Sequence, residues 1–394
     1  SPLPKTEGAA ARTAIVLGIW FGLLLSGAIV FIFWHPTAVR IVVGWIVANV
    51  FKMFPNQWTG PAILLFVVFI FPATFLATTI HELGHAVAGV LAGFRFNSLR
   101  VGRVQFDRPF RISLYRGRGT GSGGWASLFP VKHDKLILRA IVMLLAGPGA
   151  NLLSIVAIAV FITTKNSFTA LFIYISLLLG LMNLIPFRNR AVISDGGRIL
   201  MLVQNRGRGE RWLAMLKLLE EMRTGVPAEK MTPEFLAKAT AIEDKSPDTV
   251  VAFALAYAAA FYQRKDDEAA RLLETCLRNF SMAAPSQRLG LMSDAAVFQA
   301  RRRKRIDLAE QWLADMPQKA EFPWLRTRVD AAILEARGDI EGALKKLDEI
   351  EKMIRAVPNQ ALREISMRNL NRWKSELQMF PRTGTIPPVT LSHA

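Results

Sequence analysis

The chain of 394 residues has one cysteine, Cys276, and very few carboxylates in its first half. One thiol excludes an intrachain disulfide and gives no sign of an oxidising compartment. Residues 1–200 hold five acidic residues and 18 Lys or Arg. Residues 201–394 hold 26 acidic residues and 31 Lys or Arg. Long uncharged runs in the first half predict a membrane protein, and the second half is typical of a soluble one. Because no nucleic-acid motif is found, the basic balance reflects membrane-flanking charge, and we expect no nucleic-acid partner.

The most informative uncharged run leads into a short polar motif. Residues 61–80 carry no charge, and His81, Glu82 and His85 follow in the spacing H-E-x-x-H. Twenty apolar residues suffice for a membrane-spanning helix, and polar groups at its end indicate a functional site. Histidines four residues apart share one helix face, where they can hold one zinc ion. The adjacent glutamate is placed to take a proton from water, as in metalloproteases.

Other apolar stretches predict a polytopic helical membrane domain. The predicted spans are residues 14–34, 61–93, 136–163 and 168–187. The second is too long for one straight crossing, so we expect it to tilt, to kink at Pro72 or to protrude. Residues 37–54 carry Arg40 and Lys52 and predict an interfacial or re-entrant helix, with a true crossing as the alternative.

The segment between the second and third spans is strongly basic. Residues 95–139 contain ten Lys or Arg against two Asp, which places this loop and the chain after the fourth span on the cytoplasmic side. Residues 94–106 and 110–115 predict the strands of a short β hairpin, followed by a flexible glycine-rich loop at 117–124. This hairpin could pair with an extended substrate, or it could be a solvated, charged element.

The second half predicts helices in pairs. Three weakly similar units begin near residues 252, 293 and 330, and aligning Ala270, Ala309 and Ala343 gives steps of 39 and 34 residues. Such units are typical of tetratricopeptide-type helix hairpins, and an ordinary helical bundle is the alternative.

A third metal ligand is expected, because two histidines leave a catalytic zinc site incomplete. No acidic residue occurs between Asp134 and Asp195, and a returning fourth span brings Asp195 to the side of the membrane on which the second span ends. Asp195 is therefore the favoured ligand. His133 and Asp134 are the competing candidates, and their alternative role is a solvated turn before the third span.

Together these residues resemble the site-2 protease family of intramembrane zinc metalloproteases. The family pairs H-E-x-x-H with a later N-x-x-P…D-G motif, matched by Asn183, Pro186, Asp195 and Gly196. Its G-P-x-x-N is matched by Gly147, Pro148 and Asn151. The chain departs from the family in having Ser194 before Asp195, nine positions after Pro186, and in lacking a recognisable PDZ insertion.

The resemblance implies one zinc ion per chain, bound by His81, His85 and Asp195, with Glu82 as the catalytic residue. It also suggests that Asn183 and Pro186 contact the substrate backbone, although Asn183 could equally be a packing group between spans. Gly147, Pro148, Asn151 and Gly196 are expected to shape the site. The substrate would be a single-span membrane protein cleaved in or near its transmembrane segment, as in regulated intramembrane proteolysis.

The predicted organisation is mainly α. Its parts are an N-terminal span and interfacial helix (1–60), a catalytic membrane core (61–204), a helical linker (205–247), a cytoplasmic tetratricopeptide-like domain (248–380) and a disordered tail (381–394). We expect a multi-pass protein of a bacterial inner membrane, in contact with the lipid bilayer. Residues 248–380 are expected to bind a protein partner or a second copy. Two other classes remain open, namely an inactive membrane scaffold acting through the repeats and a metal-ion transporter.

Overall fold

The computed structural model describes residues 60–107, 111–114, 123–161, 167–188, 193–204, 207–318, 322–357 and 359–379. The predicted first span, the predicted interfacial helix and the predicted tail lie outside these residues. The chain divides into two compact units. Of the described residues, the first unit contains 60–88, 141–188 and 193–200, and the second contains 89–140 and 201–379.

The described chain is mainly helical with one small antiparallel sheet, which confirms the predicted fold class at this level. The helices are α1 (Gly60–Leu91), α2 (Leu136–Phe161), α3 (Ser167–Leu184), α4 (Asp195–Val203), α5 (Arg208–Thr224), α6 (Pro233–Thr240), α7 (Pro247–Tyr262), α8 (Asp266–Arg278), α9 (Pro285–Arg301), α10 (Ile306–Asp315), α11 (Trp324–Ala336), α12 (Ile340–Arg355) and α13 (Gln360–Gln378). The strands are β1 (Phe94–Val101), β2 (Val104–Asp107), β3 (Arg111–Leu114) and β4 (Gly124–Pro130).

Two helices of the described chain are long and apolar enough to cross a membrane, over Val67–Leu91 and Leu136–Ile158. The apolar part of α3, Phe168–Leu184, is shorter. Both long helices continue through an internal proline, Pro72 in α1 and Pro148 in α2.

The first unit packs small side chains of α1 against larger apolar ones of α2 and α3, and it exposes other large apolar side chains. Ala73 and Ala77 of α1 share a buried cluster with Ile155 of α2 and with Phe172 and Ile173 of α3. Large apolar side chains of the same helices are exposed, among them Leu64, Phe71, Leu153 and Leu178. An apolar exterior of this kind is unusual for a helix in water and suits one in lipid.

The sheet in the second unit has four strands rather than the two of the predicted hairpin. The strand order is β3-β2-β1-β4, with every neighbouring pair antiparallel. The strand β4 was missed because its sequence, Gly-Trp-Ala-Ser-Leu-Phe-Pro, contains no β-branched residue. Pairing with β1 makes it a strand, as in Leu99 opposite Ala126.

The helices after α4 share one hydrophobic core. The segment 205–247, predicted as a linker, contains α5 and α6, and both contribute to the core of the following helices through Leu218 and Ala239. Each of the three predicted repeat units falls on a helix pair: α7 with α8, α9 with α10, and α11 with α12. The predicted alignment is one residue off in the first pair, where Ala269, not Ala270, matches the fully buried Ala309 and Ala343.

Equivalent turns join the helices within these pairs. Arg264, Lys304 and Gly338 each have a positive φ, at 62°, 55° and 85°, and each lies two residues before the second helix of its pair. A left-handed residue at the same position of three turns supports a shared helix-hairpin geometry.

Candidate metal centre

Three side chains of the first unit place one potential ligand atom each at a common point. His81 and His85 lie one turn apart on α1, with their Nε2 atoms 3.1 Å from each other. The Oδ2 atom of Asp195, the first residue of α4, lies 3.2 Å from Nε2 of His81 and 3.4 Å from Nε2 of His85. Both histidines are buried. Among the described residues, these three form the one group of His, Cys, Asp or Glu side chains that could hold a metal.

The spacing of these atoms suits a tetrahedral ion. An ion held at roughly 2.0–2.1 Å by its ligands places them about 3.3–3.4 Å from one another. A single proton could form a hydrogen bond between only two of these three atoms, whereas a metal cation could bind all three. Oδ2 of Asp195 is also buried without a hydrogen-bond partner among the described residues. A buried carboxylate oxygen of this kind calls for a compensating positive charge. These residues therefore fit zinc.

The charge on Asp195 is consistent with a ligand role. Burial would raise its pKa, but the close approach of the His81 and His85 imidazoles brings the pKa below its usual value. The carboxylate is thus favoured in the deprotonated form that a metal requires.

The orientation of His85 is fixed by α2. Its Nδ1 lies 2.8 Å from the backbone oxygen of Met143. Because a carbonyl oxygen only accepts, Nδ1 carries the hydrogen, and in the neutral imidazole this leaves Nε2 without a hydrogen and able to bind a metal. A carbonyl partner of this type is typical of metal-binding histidines.

Two glycines allow α1 and α2 to approach closely at the site. A Cβ atom on Gly147 would lie 2.3 Å from Nε2 of His85, and one on Gly84 would lie 2.3 Å from the backbone oxygen of Ala146. The expected packing role of Gly147 thus has a specific physical cause. Gly149 differs, since a Cβ there would meet nothing within 4 Å.

Asp195 is positioned by Ser194, whose importance the sequence reasoning missed. The buried Ser194 Oγ accepts hydrogen bonds from the backbone N–H groups of Gly197 and Phe187, each at 3.0 Å, and donates one to the oxygen of Ile185 at 2.8 Å. Ser194 is thus the N-cap of α4 and closes the long loop after Pro186. A serine directly before an apolar helix was the available signal.

Gly196 lets the start of α4 meet the end of α3. A Cβ atom there would lie 2.0 Å from the backbone oxygen of Leu184. Substitution would therefore push α4, and with it Asp195, away from α3.

The remaining predicted site residues have varied surroundings. Glu82 is buried next to His81. Asn183 donates from Nδ2 to the oxygen of Leu179, 3.0 Å away in its own helix. Pro186 lies in the loop between α3 and α4, half-buried. Asn151 is fully buried.

The competing candidates, Asp134 and His133, are an ion-paired and an exposed residue. Oδ2 of Asp134 accepts from Nη2 of Arg139 at 2.7 Å, and this hydrogen bond lowers the pKa of Asp134. His133 is exposed. Neither residue belongs to a potential metal cluster within the described chain.

Comparisons with known proteins leave most of the chain unmatched. No protein-family model matches it, and no solved structure does. The small ribosomal subunit protein uS7 of Xylella fastidiosa, strains M23 and Temecula1, is 30% identical over 137 residues. The match covers 88% of uS7 but 34% of this chain. About a third of the chain is therefore weakly similar to a ribosomal protein, and the similarity leaves the other two thirds without a relative.

Proposed function

We propose that the protein is an intramembrane zinc metalloprotease of the site-2 protease type. His81, His85 and Asp195 bind one zinc ion, and Glu82 acts as general base and acid. The observation that carries this proposal is the triangle of Nε2, Nε2 and Oδ2 atoms, with sides of 3.1, 3.2 and 3.4 Å, beside a buried glutamate. This combination of ligands with an adjacent carboxylate is the arrangement that metal-assisted peptide hydrolysis requires.

In the proposed peptide hydrolysis, the zinc ion and the side chains of the protein have different roles. Zinc, when bound, supplies Lewis acidity that polarises the scissile carbonyl and makes water easier to deprotonate. Glu82 takes the proton from the attacking water and delivers it to the leaving amine. Met143 holds His85 in the ligating tautomer, and Ser194 holds Asp195 at the start of α4.

The substrate is a helical transmembrane segment. Both polar groups of a peptide bond inside a helix are engaged, so the segment must unwind locally before attack. Because Nδ2 of Asn183 is engaged with Leu179, we assign its amide oxygen to an N–H group of the unwound substrate. Pro186 gives the adjoining loop a restricted backbone.

The protein is proposed to be multi-pass. Two long apolar helices in the described chain and the uncharged stretch at residues 14–34 support this topology. The excess of Lys and Arg after α1 supports a cytoplasmic location for the C-terminal helices. A bacterial inner membrane is the setting that we propose.

The C-terminal helix pairs form a tetratricopeptide-like domain for protein binding. The three equivalent left-handed turns support this assignment. A stack of helix hairpins offers an extended surface to a substrate's cytoplasmic part, a regulator or a second copy of the chain. Removal of residues 205–394 tests the idea, because unchanged cleavage together with unchanged partner recovery would exclude it.

The decisive experiment measures zinc content and cleavage of a single-span test substrate on the same preparation. We expect Glu82→Gln to keep zinc and lose cleavage, and His81→Ala to lose the metal. A scaffold predicts that Glu82→Gln is harmless in cells. A transporter predicts metal flux into vesicles with no cleavage. Wild-type protein that binds zinc but cleaves no transmembrane substrate would contradict the protease assignment.

Association with the small ribosomal subunit is the second candidate, favoured by the partial similarity to uS7. We rank it lower because many cations of the helical region already pair with carboxylates, as in Arg301 with Glu335 at 2.8 Å and Arg372 with Glu229 at 2.6 Å. Filter binding of ribosomal RNA at two salt concentrations separates the candidates, since a specific complex persists where nonspecific phosphate contacts weaken.

A further inference from the structure

Asn151 and His81 carry buried polar atoms that no described residue satisfies. Asn151 is completely buried, and neither Nδ2 nor Oδ1 of its amide has a hydrogen-bond partner among the described residues. The same is true of Nδ1 of His81. A buried donor or acceptor without a partner has given up its hydrogen bonds to water without replacing them, so such groups are rare in folded proteins. Two residues with such groups, one on α1 and one on α2, suggest that the groups are partners of each other.

The packing of α1 against α2 indicates which residues of the two helices lie near each other. At one level of the pair, Gly147 of α2 faces the imidazole of His85 on α1. Two turns further, Ala77 of α1 and Ile155 of α2 belong to the same buried cluster. Eight residues backward along α1 thus correspond to eight residues forward along α2. The two helices therefore run antiparallel between these two points.

His81 and Asn151 lie halfway between these two points along their helices. His81 is four residues before His85, and Asn151 is four residues after Gly147. Residues four apart on a helix share one face, so both side chains lie on the packed faces and at the same level.

The neighbouring histidine shows what such a partner does. Nδ1 of His85 donates to the oxygen of Met143, and this leaves Nε2 directed at Asp195. His81 presents Nε2 to the same carboxylate but lacks the corresponding partner at Nδ1 among the described residues. The two histidines are therefore alike at Nε2, which faces Asp195, and differ at Nδ1, where only His85 has a partner among the described residues.

We propose that Asn151 is the positioning residue of His81. Once a metal ion fixes the imidazole, the amide oxygen of Asn151 accepts the hydrogen on Nδ1 and holds the tautomer that leaves Nε2 bare. The assignment rests on the proposed zinc site, and it gives Asn151 a role beyond packing. Partners behind a ligating histidine typically contribute ten- to a hundredfold to metal affinity.

The test measures zinc affinity of the purified full-length protein by competition with a chelator. Asn151→Leu removes the acceptor at similar volume, and we expect the affinity to fall by about 10- to 100-fold. Asn151→Asp keeps an acceptor at the same place and should bind zinc as tightly as the wild type or more tightly. Ser176→Ala is the control, because Ser176 on α3 also has a buried, unpartnered polar atom in the described chain. Its affinity should equal that of the wild type.

A double-variant cycle makes the assignment specific to His81. In a His81→Cys background, which keeps a metal-ligating atom at position 81 but has no Nδ1, adding Asn151→Leu should leave the zinc affinity unchanged. Equal affinities of wild type and Asn151→Leu would overturn the inference and leave the metal site standing. Losses of equal size in Asn151→Asp or in Ser176→Ala would also overturn it, since they indicate general packing damage. A wild-type protein that binds no zinc would remove the proposed function, and this inference with it.

Discussion

Gly147 lies directly against the imidazole of His85, so close that a Cβ atom at position 147 would stand 2.3 Å from Nε2. The glycine belongs to α2 and the histidine to α1. The same turn of α2 supplies the Met143 oxygen that orients the ring. One short stretch of α2 therefore determines both where the imidazole can lie and how it is turned.

We expect Gly147→Ala to displace His85 and to weaken zinc binding by at least about tenfold. The added methyl group meets the ring atom that we propose as a zinc ligand, and the ring cannot move away without losing its contact with the Met143 oxygen. Chelator competition measures the effect. Gly149→Ala is the matched control, because a Cβ there meets nothing within 4 Å. A Gly147→Ala protein with wild-type affinity would show that the two helices are less tightly packed than described.

Ser194→Ala should destabilise the start of α4 and lower zinc affinity together. The change removes an N-cap, which typically contributes about 1 kcal/mol, and leaves the Phe187 and Gly197 N–H groups without their acceptor. Thermal unfolding and chelator competition measure the two effects. Ser194→Thr retains the hydroxyl and should recover most of both. Lost stability without any change in affinity would show that Asp195 does not depend on this loop.

The Asp244 cluster should make the second unit sensitive to acid. Asp244 pairs with Arg208 at 2.7 Å and with the fully buried Arg211 at 2.9 Å. Burial would raise the pKa of Asp244, but hydrogen bonds from Ser246, Arg211 and its other neighbours lower it far below the unfolded value. The resulting stability is fully present above about pH 4 and is lost as the pH falls further, because the unfolded chain then binds a proton that the folded chain does not.

Urea unfolding between pH 7 and pH 3 tests this dependence. Asp244→Asn should cost about 3 kcal/mol at pH 7, since it leaves Arg211 buried without its closest carboxylate, and should flatten the acid dependence. Glu234→Gln serves as control, because its pair with Lys238 is exposed and contributes little. Equal effects of both substitutions would contradict the special role of the buried arginine.

The repeat turns predict opposite effects of two substitutions. Lys304 and Gly338 occupy equivalent positions with φ values of 55° and 85°. Lys304→Gly should stabilise the protein by up to about 1 kcal/mol, because glycine adopts this conformation without the steric cost of a side chain. Gly338→Ala should destabilise it by a similar amount. Urea unfolding measures both, and changes of the same sign would show that the turns are not equivalent.

The residues of the candidate site, and the helix that carries two of them, could be predicted from the sequence. The spacing of His81 and His85 matches one helical turn, so their common direction depends on neighbours along the chain. Asp195 could be proposed because the first half of the chain has so few carboxylates. The long helices followed from uncharged runs and the helix pairs from repeated apolar patterns. All these signals lie within one element or in its composition.

Contacts between elements decided the rest. The strand β4 exists because β1 pairs with it, and its own sequence lacks the β-branched residues that would have predicted a strand. The contact of Gly147 with His85, the closure of the Pro186 loop by Ser194 and the level of Asn151 opposite His81 all depend on how separate helices pack. The sequence by itself determined which residues are candidate ligands and which helix bears two of them. Tertiary packing determined their distances and the groups behind them, because close packing joins residues far apart in the chain and leaves no local periodicity to detect.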